Sequence, residues 1–368
     1  MKVLHLISSG GMFGAERVIL NLASQNNGVI CWIGALRNQH NPHLEILEEA
    51  KRMGLKTFLF DSQGRVDFKT IFHTRRFLKE NNIDILHSHN YKSDIIGFLA
   101  TRFSKTQWVV TNHVWHGTDA KMRFYEGIDN TVLKFAKIVC AVSQEIKDDL
   151  IHKGFKKNNL YVVHNGISIS QFNKNSKGQE LRKSWNLSDN DTLINMTGRL
   201  APEKGHEILF KALKEVTGQY PHVKCLVVGD GPLKKELEVI VNRLELTNHI
   251  IFTGIRKDTA AIYSACDIMV NSSLIEGLPM TILEAMASRL ALIATRVGAV
   301  PQVIKNEKNG ILLEPGNEKA LAQAIIDLMN NPVKRHHLAE EAYKDVCEHF
   351  SDQRMANDYK KIYEDLLR

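Results

Sequence analysis

Short apolar runs alternate with longer segments of helical periodicity almost throughout this 368-residue chain. The pattern predicts strands over 3–7, 29–35, 57–60, 83–87, 108–111, 138–141 and 161–164. Helical segments are expected over 15–24, 42–53, 68–81 and 93–103 between the earlier strands. Strand and helix in strict succession imply parallel sheets whose two faces are covered by helices.

A polar stretch rich in Asn and Lys, residues 165–190, interrupts the rhythm and is expected to be a hinge. The alternation restarts at Leu193 and predicts strands over 193–197, 224–228, 250–253, 268–271, 292–295 and 311–313. The fold class expected is α/β with two doubly wound parallel-sheet domains, residues 1–170 and 171–350. Apolar positions at helical spacing over 354–367 make an amphipathic helix, so residues 351–368 are expected to pack back on the first domain. Ligands of open α/β sheets sit at the carboxyl ends of strands, and two such domains facing a cleft would offer two sets of loops.

Composition agrees with a globular protein: 43% of residues are hydrophobic and 24% charged. The chain enters an apolar strand at Val3 with no basic, apolar and small-residue leader pattern, and no apolar run approaches the roughly 18 residues of a membrane span. The location expected is cytoplasmic. Cys31, Cys140, Cys225, Cys266 and Cys347 are scattered, odd in number and without a Cys-x-x-Cys pair, which reads as reduced packing residues. Charge is uneven, with 22 Lys and Arg against 15 Asp and Glu in residues 1–170 but 26 against 26 in the remainder. A basic half suits nucleic acid, an anionic membrane surface or a phosphorylated acceptor. No basic and aromatic signature of a nucleic-acid module accompanies it, so nucleic acid is not expected as a partner. Arg65 to Lys79 forms a basic amphipathic segment that suits peripheral contact with anionic headgroups, or an ordinary sheet-covering helix with a solvated face.

Candidate chemistry concentrates where loops follow strands. Glu276-Gly277-Leu278-Pro279-Met280-Thr281 opens a helix that carries Glu284, with Pro279 suited to its first turn. The first-turn amides of Met280 and Thr281 and the positive end of the helix dipole would face an anion such as a diphosphate. A carboxylate on either side, Glu276 and Glu284, can accept hydroxyl hydrogen bonds from a sugar and a ribose. By itself the pair also fits a helix-terminus charge and a solvated face.

Earlier in the same half, Gly198-Arg199-Leu200-Ala201-Pro202-Glu203-Lys204-Gly205 follows a strand. Two cations there suit a pyrophosphate, because fixed positive charge stabilises a departing diphosphate more in the transition state than in the ground state. In the first half, the loop Ser8 to Gly14 leads into a helix, and Gly11 and Gly14 allow backbone to approach a phosphate. The Rossmann dinucleotide fingerprint is not met, since Ser9 stands where its first glycine belongs and no acidic residue ends the second strand. His113 follows a strand and should project toward the same ligand. His87 and His89 have the look of a metal pair, yet no third ligand at plausible spacing appears, and no metal is expected. Elbow and Walker motifs of hydrolases and P-loop proteins are lacking.

Taken together, Phe13-Gly14-Ala15-Glu16, Val163-His164-Asn165-Gly166, Gly198-Arg199-Leu200 with Glu203-Lys204-Gly205, Val228-Gly229-Asp230-Gly231-Pro232 and Glu276 to Met286 resemble the family-4 retaining glycosyltransferases. The motifs spread over nearly the whole chain in the family's order. This resemblance implies the GT-B fold of two Rossmann-like domains, with the donor site mainly in the second, the acceptor site mainly in the first, and no catalytic metal or other cofactor. It implies that Arg199 and Lys204 bind the donor diphosphate, Glu276 the donor sugar and Glu284 the ribose, with Gly277, Leu278, Met280 and Thr281 lining the same loop. Gly14 would approach the phosphates, His113 matches the family histidine near the donor sugar, and Ile255 and Arg256 would meet the base. Phe13 departs from the family, which often has a second glycine there, and Gly11 is expected to serve instead.

The activity expected from the resemblance is transfer of a sugar from a nucleoside-diphosphate sugar to a hydroxyl of a saccharide or lipid-linked saccharide, with retention. The paired-carboxylate logic of glycosidases does not carry over, because Glu276 and Glu284 hold the donor rather than flank the bond that breaks. Two other readings use the same architecture: a UDP-sugar 2-epimerase, and a sugar-nucleotide-binding protein without catalysis. The epimerase would need acid and base groups at the sugar and no acceptor.

Overall fold

A computed structural model describes the chain except for residues 13, 26, 38–42, 62–67, 114–119, 173–176 and 189, and the side chains of 120–126 are likewise outside the description. Phe13, the Arg65 end of the basic segment and the residues after His113 therefore lie outside the described residues. The chain divides into two compact units, one of Met1–Gly166 with Asp352–Arg368 and one of Ile167–Ser351. The first ends at Gly166 rather than at residue 170, because Ile167 already bonds back to the carbonyl of Phe350 inside the second unit.

The first unit holds a seven-stranded sheet in the order β3-β2-β1-β4-β5-β6-β7. Its strands are β1 Lys2–Ile7, β2 Ile30–Arg37, β3 Lys56–Asp61, β4 Ile85–Ser88, β5 Gln107–Asn112, β6 Ile138–Ala141 and β7 Leu160–Val162, all paired in parallel. The second unit holds a six-stranded sheet in the order β10-β9-β8-β11-β12-β13. These are β8 Thr192–Thr197, β9 Val223–Val228, β10 Ile250–Gly254, β11 Ile268–Asn271, β12 Ala291–Thr295 and β13 Ile311–Leu313, again parallel throughout.

Period-2 alternation within the strands splits the first unit's core in two. Leu4 and Leu6 of β1 and Leu36 of β2 pack with Phe60, Phe77 and Trp108 on one face. Ile7 of β1 with Ile33 and Ala35 of β2 pack on the other, under Ile19, Leu20 and Ile46. His5 shares the second face and is fully buried.

Some boundaries move for local reasons. The helix expected over 93–103 runs Tyr91–Thr101, because Asn90 accepts the amide of Ser93 in a capping box and starts the helix earlier. Pro279 does not enter the helix Met280–Ala287; it stands just before it with φ −72° and ψ 125°, in extended conformation. The C-terminal helix Asp352–Leu367 belongs to the first unit. Gln25 donates to Asp352 Oδ2 at 2.8 Å and Asn27 to the carbonyl of Ala356 at 3.0 Å, while Tyr359 and Tyr363 enter the core of that unit.

Candidate functional site

In the second sheet the strand order reverses between β8 and β11, whose carboxyl ends therefore border a crevice where no connection crosses. The loops leaving these two strands carry Lys204 and Glu276. Between β8 and the helix His206–Gln219 lies a single 3₁₀ turn, Pro202–Lys204, closed by Gly205 at φ +68°. A Cβ on Gly205 would stand 2.2 Å from the carbonyl oxygen of Ser272, so only glycine lets this turn lie against the loop after β11. Hydrogen bonds then tie the loops: Ser272 Oγ donates to the carbonyls of Gly205 and Lys204 at 3.0 and 3.4 Å, and the amides of Leu274 and Ile275 donate to the carbonyl of Glu203 at 2.8 and 3.3 Å.

This geometry brings Lys204 Nζ to 2.5 Å from Glu276 Oε1. Ser273 Oγ donates to the same oxygen at 2.7 Å, and Asn271 Nδ2 lies 3.5 Å away. The carboxylate is nearly out of solvent, its side chain 7% exposed against 22% for Lys204. A partly buried charge of this kind is tolerated because cation and hydroxyl both face it. The resemblance assigns Lys204 to the donor diphosphate and Glu276 to the donor sugar; the structure makes the two side chains direct partners. Ser273 and Asn271 were missed, and the only signal for them was their position at the end of β11.

The remaining expected residues of the second unit are distributed differently. Arg199 is exposed and makes no ion pair among the described residues. Its loop is anchored instead by backbone: Gly229, at φ +139°, would clash with the carbonyl oxygen of Gly198 at 1.9 Å if it carried a Cβ. Glu284 is not on a solvated face. It is 3% exposed and accepts from the hydroxyl of Tyr263 at 2.9 Å. Met280 and Thr281 open the helix that bears it, so their amides precede its first intrahelical bond. Leu278 is buried, and Gly277 has open space where a Cβ would stand, with its carbonyl accepting the amide of Ala299 at 3.1 Å. Ile255 is 77% exposed, whereas Arg256 is already engaged in a two-pronged pair with Asp258 at 2.8 and 2.6 Å.

In the first unit the order reverses between β1 and β4. After β1, Ser9 Oγ donates to Glu16 Oε1 at 3.0 Å and accepts from the amide of Gly11 at 3.2 Å, which folds the loop onto its own helix. Gly11 is buried at φ +136°, a conformation glycine alone adopts without strain. Gly14 is exposed at the start of the helix Gly14–Ala23.

His113 follows β5 and meets His89, which follows β4; His89 in turn meets His5 of β1. The third histidine that the spacing of His87 and His89 did not offer is therefore His5, and ring nitrogens of His5, His87 and His89 lie within 4.8 Å of one another. Both nitrogens of His87 are bonded, to the hydroxyl of Tyr363 at 2.6 Å and to Thr111 Oγ1 at 2.7 Å. Thr111 Oγ1 also bonds the hydroxyl of Tyr359 at 2.8 Å. Burial pulls His5 down to about 3 and His113 to about 4, and holds His87 and His89 well below the ordinary histidine value, with their histidine neighbours opposing a proton as well. These imidazoles are neutral at physiological pH. Burial also pushes the thiols of Cys31 and Cys225 up to about 12, consistent with inert packing residues.

Comparison with known proteins places both units. Residues 13–171 match the family model described as Glycosyltransferase Family 4, and residues 177–345 the model described as Glycosyl transferases group 1. The N-acetyl-alpha-D-glucosaminyl L-malate synthase of Bacillus anthracis is 27% identical over 296 residues, 79% of this chain and 77% of that protein. The UDP-Gal:alpha-D-GlcNAc-diphosphoundecaprenol alpha-1,3-galactosyltransferase of Escherichia coli is 25% identical over 380 residues, 100% of this chain and 97% of that protein. Among solved structures, Anabaena Alr3699/HepE in complex with UDP-glucose superposes with a TM-score of 0.88 at 22% identity, covering 99% of this chain and 100% of that one. That last likeness concerns the fold.

Proposed function

From a chain that belongs to the glycosyltransferases, family 4 in its first half and group 1 in its second, we propose a retaining, metal-independent transfer of a sugar from a nucleoside-diphosphate sugar. The acceptor proposed is a hydroxyl of a saccharide or lipid-linked saccharide, in the making of a surface polysaccharide or glycolipid. One observation carries the reading: the Lys204–Glu276 pair, braced by Ser273, at the strand-order reversal of the second sheet. The E. coli relative's UDP-galactose donor and diphosphoundecaprenol acceptor, and the UDP-glucose bound by the Anabaena protein, support a uridine nucleotide and a lipid-linked acceptor.

In this reading the donor diphosphate takes Lys204 as its cation, with Arg199 beside it, and Glu276 turns to hydroxyls of the donor sugar. Glu284, already holding one hydroxyl hydrogen bond from Tyr263, accepts from the ribose. Gly11 and Gly14 approach the phosphates, Ile255 and Arg256 serve the base, and His113 serves the sugar. The bond between the anomeric carbon and the phosphate oxygen breaks with its electron pair leaving on the diphosphate. The acceptor oxygen then bonds the same carbon from the same face, and its proton passes to the departing phosphate oxygen. Lys204 and Arg199 favour this step because the charge they face grows as the bond lengthens.

Incubation with a panel of labelled sugar nucleotides, with and without lipid-linked acceptor, tests the proposal. Transfer with the anomeric configuration kept, undiminished by a chelator, supports it; isomerisation without an acceptor, or binding alone, refutes it.

The location proposed is cytoplasmic, with peripheral contact at an anionic membrane. No helix among the described residues is long and apolar enough to cross a membrane. Support comes from the helix Phe68–Glu80, which carries Lys69, Arg76 and Lys79 and leaves Phe68 and Phe72 exposed at 89% and 64%. Flotation with vesicles containing anionic lipid, compared with neutral vesicles, checks this contact; equal flotation with both refutes the electrostatic part.

A further inference from the structure

A line of three imidazoles runs through the first unit and ends at His113. His5 Nδ1 lies 3.1 Å from His89 Nε2, and His89 Nδ1 lies 3.2 Å from His113 Nε2. The far end of the line is closed: His5 Nε2 is buried and, among the described residues, has no hydrogen-bond partner. His87 stands beside the line without joining it, its two nitrogens taken by Tyr363 and Thr111. Among the described residues, the titratable groups facing these rings are one another and the hydroxyls of Tyr359 and Tyr363, which burial pushes well above the usual tyrosine range.

A neutral imidazole has one N–H and one bare lone pair. Two N···N hydrogen bonds in series therefore allow two proton arrangements. If the donors point inward, His113 Nε2–H donates to His89, His89 Nε2–H donates to His5, and His5 is left with a buried Nε2–H that has nothing to bond. If they point outward, each ring carries its proton on Nδ1 and His5 keeps only a bare lone pair at the closed end. An orphaned buried N–H is the rarer and costlier defect, so the outward arrangement is favoured.

We propose that His5 and His89 set the tautomer of His113, holding its Nε2 as a bonded acceptor and leaving Nδ1–H as the group it offers. His113 is then a neutral donor toward an oxygen lone pair, of a sugar hydroxyl or a phosphate, and has no free nitrogen with which to remove a proton. His89 is a positioning residue, and His5 fixes the direction of the line. The bearing of this on catalysis rests on the reading that His113 serves the donor sugar; the tautomer itself does not.

Long-range proton–nitrogen correlation spectra of the full chain labelled with ¹⁵N-histidine test it directly. The wild type should show Nδ1 protonated in His5, His89 and His113 across neutral pH. His89→Leu should release His113 to the Nε2–H form that an unconstrained imidazole prefers. His89→Asn places an amide N–H where Nδ1 stood and should restore Nδ1–H at His113. A wild-type His113 protonated on Nε2 overturns the proposal, and so does an unchanged tautomer in His89→Leu or stoichiometric metal found by elemental analysis of the purified protein. Should His89→Leu fail to fold, the wild-type spectrum still decides. Unchanged sugar transfer by His113→Ala, alongside the expected wild-type spectrum, removes His113 from the donor site and leaves the tautomer assignment standing.

Discussion

Replacing Lys204 by Ala separates a structural role from a catalytic one, because the two carry different magnitudes. The Lys204–Glu276 pair is neither exposed nor fully enclosed, at 22% and 7% side-chain exposure. Exposed pairs contribute about 0.2–1 kcal/mol, and breaking an enclosed one costs about 3–5 kcal/mol. Glu276 keeps the hydroxyl of Ser273 after the substitution, so a loss of about 2 kcal/mol in stability is expected. Removing a fixed cation from a departing diphosphate should cost about 3–4 kcal/mol of transition-state stabilisation, or roughly 10²–10³-fold in kcat. The assay is the initial rate of nucleoside diphosphate release at saturating donor with acceptor present, run beside a urea unfolding curve. Arg199→Ala is the companion: an exposed side chain without an ion pair should leave stability within about 0.5 kcal/mol while lowering kcat in the same sense. If Lys204→Ala loses stability yet keeps kcat within about threefold, under 1 kcal/mol of barrier, Lys204 is only the partner of Glu276 and the diphosphate assignment fails.

Three further outcomes follow from the same geometry. Gly205→Ala forces a Cβ into the carbonyl of Ser272 at positive φ, parting the Lys204 turn from the Glu276 loop. It should lower the melting temperature and abolish transfer, whereas Gly277→Ala, with open space at its Cβ, should melt like the wild type. Tyr263→Phe removes the hydroxyl that faces the buried Glu284 and should cost about 1–3 kcal/mol in urea unfolding and raise KM for the donor; an unchanged unfolding midpoint would refute that pairing. Stability should fall on acidification: His5 and His113 bind protons near pH 3 and 4 when folded but near 6.5 when unfolded. The unfolded chain therefore takes up more protons below pH 6.5, and each such histidine should remove up to about 1.4 kcal/mol per pH unit down to its folded value. Urea midpoints between neutral and acid pH check the sign, and a rise on acidification would contradict neutral burial.

The expected strands lie where the structure has them, to within a residue or two at most ends, because each is an apolar run bounded by polar residues and needs no knowledge of its neighbours. The misplaced helix start at Tyr91 illustrates the limit. Asn90 and Ser93 spell a capping box, but the apolar period begins only later. Site residues were legible in proportion to how much local backbone they demand. Gly205, Pro279 and the glycine loop after β1 mark themselves through turn chemistry. Asn271 and Ser273 do not, since their contribution is a donor aimed at a residue that a different loop brings near.

By itself, then, the sequence determined that two parallel α/β sheets form and which loops follow which strands, since periodicity and turn residues are local properties of the chain. It also determined the family, through motifs held at fixed order over both halves. Tertiary structure alone decided that Lys204 meets Glu276 at 2.5 Å, that Glu284 is buried under Tyr263, and that His5, 84 residues before His89, closes a line of imidazoles behind His113. The physical reason is the strand order. In each sheet the reversal sets strands that are distant in the chain side by side, β8 with β11 and β1 with β4, and polar groups brought together in that way share no spacing along the chain from which their contact can be read.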